Sequence, residues 1–167
     1  MDVYQKGDKV VCGCKGVCCV EDITTLNMQG IDRERLYYIL KPVYMPGSTV
    51  YLPVDTADST MRSILTREEV EELIQRIPQI PEITTINDKL LEQEYKTCLK
   101  TDQCDEWVRI LKTIYNRKRK RQAVGRKVTA VDTRYARIAA DCLYGELAIC
   151  LDIPREEVED YIGSCLA

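Results

Sequence analysis

The sequence predicts an α+β protein of two domains, a small antiparallel β-barrel of SH3 or Tudor type followed by an α-helical bundle. Three observations carry this. Between Lys6 and Pro53, short β-rich runs alternate with Gly- and Pro-bearing turns. From Thr66 onward, apolar residues recur instead at helical spacing. Between the two patterns, Pro78-Gln79-Ile80-Pro81 cannot continue a helix, which places a junction between Ile77 and Ile86. The expected division is a barrel over residues 1–62, a capped helix and Pro-containing junction over 63–86, and a helical domain over 87–167.

Within the barrel, strands are expected at Lys9 to Cys12, Val17 to Ile23, Leu36 to Pro42 and Thr49 to Pro53. Gly13 to Gly16, Asn27-Met28-Gln29-Gly30 and Pro46-Gly47-Ser48 supply the turns, where Gly permits positive φ and Pro presets the first turn position. Leu36-Tyr37-Tyr38-Ile39-Leu40 and Val50-Tyr51-Leu52 set apolar side chains on alternating faces. A sheet of this kind exposes an edge where a partner could add a strand.

In the helical half, Thr66-Arg67-Glu68-Glu69 has the form of a capping box, and Val70, Leu73 and Ile74 follow on one side. Asn87 caps a helix holding Leu90, Leu91, Tyr95, Cys98 and Leu99, and Asp102 is expected to start the next one. That helix sets Trp107, Ile110, Leu111, Ile114 and Tyr115 on one face, with Trp107 expected in the core. Thr129-Ala130-Val131-Asp132 opens a long helix through Tyr135, Ile138, Ala139, Cys142 and Leu143 to about Leu151. Asp152-Ile153-Pro154 restarts the chain into an acidic helix ending near Gly163.

Charge is distributed unevenly. Residues 88–150 carry 14 basic and 9 acidic side chains, whereas residues 151–167 carry 1 and 5, in a chain of net charge −3. The surplus is concentrated in Arg117-Lys118-Arg119-Lys120-Arg121, continued by Arg126-Lys127, with no acid between Asn116 and Thr129. A positive block between two amphipathic helices of an acidic protein suits a polyanion, although basic helix ends also complement the helix dipole.

The chain has no histidine, which removes Ser-His and Cys-His nucleophile pairs, His bases and His metal ligands together. Dispersed carboxylates such as Glu68, Glu69, Glu71 and Glu72 read as a solvated helix face, so no enzyme is expected. No run approaches the roughly 20 apolar residues of a membrane span, and Met1-Asp2-Val3-Tyr4 does not read as a signal peptide. A cytoplasmic protein with reduced thiols and no membrane partner is expected. Among its nine cysteines, Cys12, Cys14, Cys18 and Cys19 are close enough to raise a redox or metal sensor as the alternative function. Strand alternation turns Cys18 and Cys19 to opposite faces, so packing is the preferred reading and neither metal nor cofactor is expected.

The order of these features resembles the CarD, or CdnL, family of bacterial transcription regulators, related at its N-terminus to the polymerase-interacting domain of transcription-repair coupling factors. The resemblance rests on Lys6-Gly7-Asp8-Lys9-Val10-Val11 with Gly16-Val17, Tyr37 to Leu40, Val50-Tyr51-Leu52-Pro53-Val54 and Met61-Arg62. In the helical half it rests on Trp107, Tyr115, Arg117-Lys118-Arg119 and Thr129 to Leu147, including Asp132, Arg134-Tyr135, Ala139, Leu143 and Gly145-Glu146-Leu147.

The resemblance implies a monomeric, non-enzymatic factor whose barrel docks on the β subunit of RNA polymerase while its helical domain touches promoter DNA, favouring the open complex. On this sequence the docking edge maps to Val50, Tyr51 and Leu52. The expected DNA contacts, largely without sequence reading, are Lys89, Arg117, Lys118, Arg119, Lys120, Arg121, Arg126 and Lys127, with Arg117, Arg121, Lys127 and Lys89 foremost. Many family members carry a Trp that wedges into the minor groove at the start of the helical domain. This sequence reads Thr84-Thr85-Ile86-Asn87-Asp88 there, which leaves Ile86 as the candidate wedge.

Overall fold

The computed structural model describes residues 4–85 and 87–166, without the side chains of Cys14 and Asp58. The chain divides into two compact units between Ile64 and Leu65.

The first unit is a five-stranded antiparallel sheet curled into a half-barrel. Its strands are β1 (Lys9–Val11), β2 (Val17–Thr25), β3 (Leu36–Pro42), β4 (Val50–Pro53) and β5 (Arg62–Ser63), in the order β4-β3-β2-β1-β5. A short helix, α1 (Ala57–Thr60), precedes β5. Cys12 falls outside β1, because the chain turns into a 3₁₀ segment over Gly13–Lys15 closed by Gly16 at φ 70°. That positive φ is the conformation for which a turn selects glycine. The β2–β3 register shifts between Val20 and Asp22, a bulge that bends the long strand.

Strand alternation explains this unit's core. Cys18 and Val20 of β2 and Tyr38 and Leu40 of β3 point to one side, where Tyr4, Val10, Cys12, Ala57 and Met61 meet them. Tyr4 stacks edge-on to Tyr38 with ring centroids 5.9 Å apart. Its backbone N–H donates to the Tyr38 hydroxyl at 3.3 Å, which supplies the partner that the buried phenol requires.

The second unit is helical, with α2 (Arg67–Arg76), α3 (Asp88–Lys100), α4 (Cys104–Ala123), α5 (Ala130–Leu151) and α6 (Val158–Leu166). The longest two, α4 and α5, pack on each other, α3 lies against both, and α2 packs on α5 and α6. Trp107, Ile110, Tyr95, Leu73, Ile74 and Leu147 are fully buried. Each such side chain contributes about 1.5–3 kcal/mol by leaving water. The packed stripe on α4 is narrower than its periodicity suggests. Trp107, Val108, Ile110 and Ile114 are buried, whereas Tyr115, the residue after Ile114, is exposed. Leu90 of α3 is likewise exposed while Leu91, Tyr95 and Cys98 are buried.

The helix caps divide into those the sequence encodes locally and those it does not. At Thr66 both arms of the capping box form: the Thr66 hydroxyl accepts the Glu69 N–H at 3.1 Å, and the Glu69 carboxylate accepts the Thr66 N–H at 3.0 Å. At Thr129 only the first arm forms, because the Asp132 carboxylate is drawn away into the bundle. Asp102 does not start α4. It takes a left-handed φ of 55° after α3, and Gln103 stands at the N-cap. Gly163 lies inside α6, which runs on to Leu166.

The proline-bearing segment from Ile77 is not a free linker between the units. It follows α2 inside the helical unit, and α4 stitches it down. Lys112 Nζ donates to the carbonyls of Ile77 at 2.8 Å and Ile80 at 2.6 Å, and Arg109 donates to that of Pro81 at 3.3 Å. The Ile83 N–H donates to the buried Thr113 hydroxyl at 2.9 Å, and Asn116 binds Glu82. Prolines and extended backbone leave carbonyls unsatisfied there, and side chains of a neighbouring helix satisfy them. The unit boundary therefore falls ahead of the capped helix.

Candidate functional sites

Two surfaces correspond to the residues singled out by sequence. On the first unit, β4 pairs only with β3 and is one of the two edges of the sheet. Its alternation sends Val50 and Leu52 against the core, while Tyr51, opposite Ile39 of β3, is 45% exposed. Lys41 Nζ donates to the Thr49 hydroxyl next to this edge, tying down the approach to the strand. The arrangement can accept a further strand through the free backbone edge, with Tyr51 as the protruding side chain. No catalytic geometry is needed for such a site.

The basic run occupies the last turns of α4 and the connection to α5. Five successive residues advance 100° each, so the run splits among directions. Arg117 turns inward, where its Nε donates to Asp132 Oδ2 at 2.8 Å and its Nη2 lies 3.4 Å from Asp88 Oδ1. Asp132 is 1% exposed, and its other oxygen accepts the Tyr95 hydroxyl at 2.9 Å. Burial, reinforced by that hydrogen bond, pushes the Tyr95 phenol up. Arg117, expected foremost among phosphate contacts, is instead the counter-ion of a buried carboxylate. A charge placed at 1% exposure must be paired, and Arg117 is the cation within reach.

Arg121 is half committed. Its Nε donates to the Lys127 carbonyl at 2.7 Å, and the Arg126 N–H donates to the Arg121 carbonyl at 2.8 Å, closing the end of α4. Lys118, Arg119, Lys120, Arg126 and Lys127 are exposed, as is Lys89 in the first turn of α3. None of these six side chains makes an ion pair among the described residues. These are the cations free to meet an anion. Ile86, the candidate wedge, lies outside the described residues.

Sequence reasoning missed the Tyr95–Asp132–Arg117 cluster as a unit. Its members stand at positions read as packing, cap and surface, and only the partial box at Thr129, with Asp in place of Glu, carried any signal. The second buried acid, Glu146, is also internal. Its carboxylate accepts the Leu65 N–H at 2.9 Å and the Cys104 thiol at 3.3 Å, fixing the start of the unit to α5.

Of the clustered cysteines, Cys18 lies in the sheet core, and its burial pushes the thiol up to about 12. Cys19, its neighbour in β2, points to the opposite face by alternation and its thiol contacts the Val20 carbonyl at 3.9 Å. The side chain of Cys14 lies outside the described residues. A core thiol that stays protonated near neutral pH is a poor nucleophile. Among the described residues no helix is long and apolar enough to cross a membrane.

Comparison with curated proteins gives no match. The sequence pattern of the CarD-like/TRCF RID domain family, in which TRCF denotes transcription-repair coupling factor, matches residues 4–65. The match spans the five-stranded unit and ends at its boundary with the helices. Residues 4–65 therefore carry a domain of the CarD-like/TRCF RID family, and the match does not extend into the helical unit.

Proposed function

We propose that this protein is a non-enzymatic, cytoplasmic transcription regulator that binds the β subunit of RNA polymerase through its sheet edge and contacts promoter DNA through its helical unit. Acting as a monomer, it modulates the stability of the open complex. The observation that carries the reading is the coincidence of the family match with a sheet whose β4 edge is free and bears the outward Tyr51. The exposed, unpaired cations around the end of α4 support a phosphate contact made largely without sequence reading. Tethering by the barrel raises the effective concentration of the helical unit at the promoter, so a weak contact suffices.

The test is a binding titration of the full chain against RNA polymerase. Tyr51→Glu places a charge on the docking edge and is expected to weaken binding by about fivefold or more, with the melting temperature of the free protein unchanged. Equal binding by parent and variant removes the β4 edge from the interface.

A further inference from the structure

The basic end of α4 carries one aromatic ring that the bundle leaves in solvent. Tyr115 is 61% exposed, against near-complete burial of Trp107, Ile110 and Ile114 on the same helix. Arg119, one turn on, holds its guanidinium carbon 6.0 Å from the centre of the Tyr115 ring. Tyr115 and Lys118 also line a shallow groove of about 350 Å³ whose other walls include Leu111, Tyr144 and Ile162. Lys118, Arg119 and Lys120 make no ion pair among the described residues.

We propose that Tyr115, flanked by Lys118 and Arg119, is a stacking platform for an unpaired base of single-stranded nucleic acid. This rests on the proposed contact of the helical unit with DNA and specifies the form of strand it takes. A duplex hides the faces of its bases, whereas an unpaired strand offers one that an exposed ring can cover, while adjacent cations neutralise the phosphates. The guanidinium at the ring adds a cation–π contact and holds the ring in place. The groove has the volume of a small-molecule site and mostly apolar walls, which accommodate one inserted ring. Glu159 on the α6 wall repels phosphates, which favours the α4 side, where Lys118 and Arg119 stand.

The experiment measures binding of the full chain to a short labelled oligothymidylate and to a duplex of equal length. Tyr115→Ala is expected to lower single-strand affinity about fivefold or more while duplex affinity stays at the parent value. Tyr115→Phe, which keeps the ring, should bind as the parent does. Single-strand affinity unchanged in Tyr115→Ala overturns the platform. If that result comes together with weakened binding of both DNAs by the Lys118→Gln, Arg119→Gln variant, the platform alone fails and the phosphate contact stands. If the parent binds neither DNA, both fail. Displacement of the oligothymidylate by an acidic amphipathic peptide whose own affinity depends on Tyr115, with Tyr115→Ala unchanged toward DNA, assigns the groove to a protein helix and overturns the platform.

Discussion

The two units present their recognition surfaces by opposite means. In the sheet, the exposed feature is backbone: β4 is paired on one side only, and its apolar side chains are spent on the core. In the helical unit backbone is satisfied internally, and the exposed feature is side-chain charge. Their interiors differ accordingly. The fully buried charged residues among those described, Asp132 and Glu146, both lie in the helical unit, and the sheet core is built from aromatic, aliphatic and thiol groups. A free strand edge is a consequence of topology and needs no particular residue. A basic patch is drawn from the same side chains that the bundle needs to pair a buried acid, as Arg117 pairs Asp132, so counting cations overstates what is free for a ligand.

The strongest way to break this comparison is Arg117→Ala. If Arg117 belongs to the fold, its loss leaves Asp132 buried and uncompensated, at a cost on the order of 3 kcal/mol. Urea denaturation followed by circular dichroism at a helical wavelength measures it. Lys118→Gln in the same assay should stay within about 0.5 kcal/mol of the parent. Equal costs for the two would return Arg117 to the surface.

A smaller effect on stability and a clear one on binding are expected from neutralising Lys118, Arg119 and Lys120 together. Each released counterion adds to the salt dependence of DNA binding, so removal of three phosphate contacts should flatten the slope of log affinity against log salt by about 3. Polymerase affinity should be unaltered. An unchanged slope means that the exposed cations are a solvated helix end.

A last effect, confined to alkaline pH, is one the two units share. Burial pushes the Cys18 thiol of the sheet and the Cys98 thiol of the bundle up to about 12, from an ordinary value of 9.0. A raised folded-state pKa stabilises the fold at pH values below the unfolded pKa, and that contribution is lost as pH climbs toward the folded value. Stability should therefore decline between about pH 9 and 12 in both units, less so in Cys18→Ser or Cys98→Ser. Thiol labelling of the native protein near pH 8 should modify the exposed Cys165 well before Cys18 or Cys98. Early labelling of Cys18 would show that the sheet core opens readily.

Sequence alone determined the elements whose signals are local. Alternation placed β2, β3 and β4, turn residues placed the hairpins, and Thr66-Arg67-Glu68-Glu69 specified a complete cap, because those interactions reach only a few residues along the chain. The outward direction of Tyr51 follows from the same alternation, whereas the edge position of β4 is set by the strand order. Tertiary structure decided what depends on residues far apart in sequence. Arg117 and Asp132, 15 residues apart, pair because α4 and α5 pack together, and Tyr95, 37 residues from Asp132, completes the site from a third helix. The proline segment looks like a linker until Lys112 and Arg109 are seen to hold its carbonyls. Tyr115 shares the apolar period of α4, but periodicity reports only which side of a helix a residue occupies. Whether a neighbour covers that side at its level is set by where the other helices end.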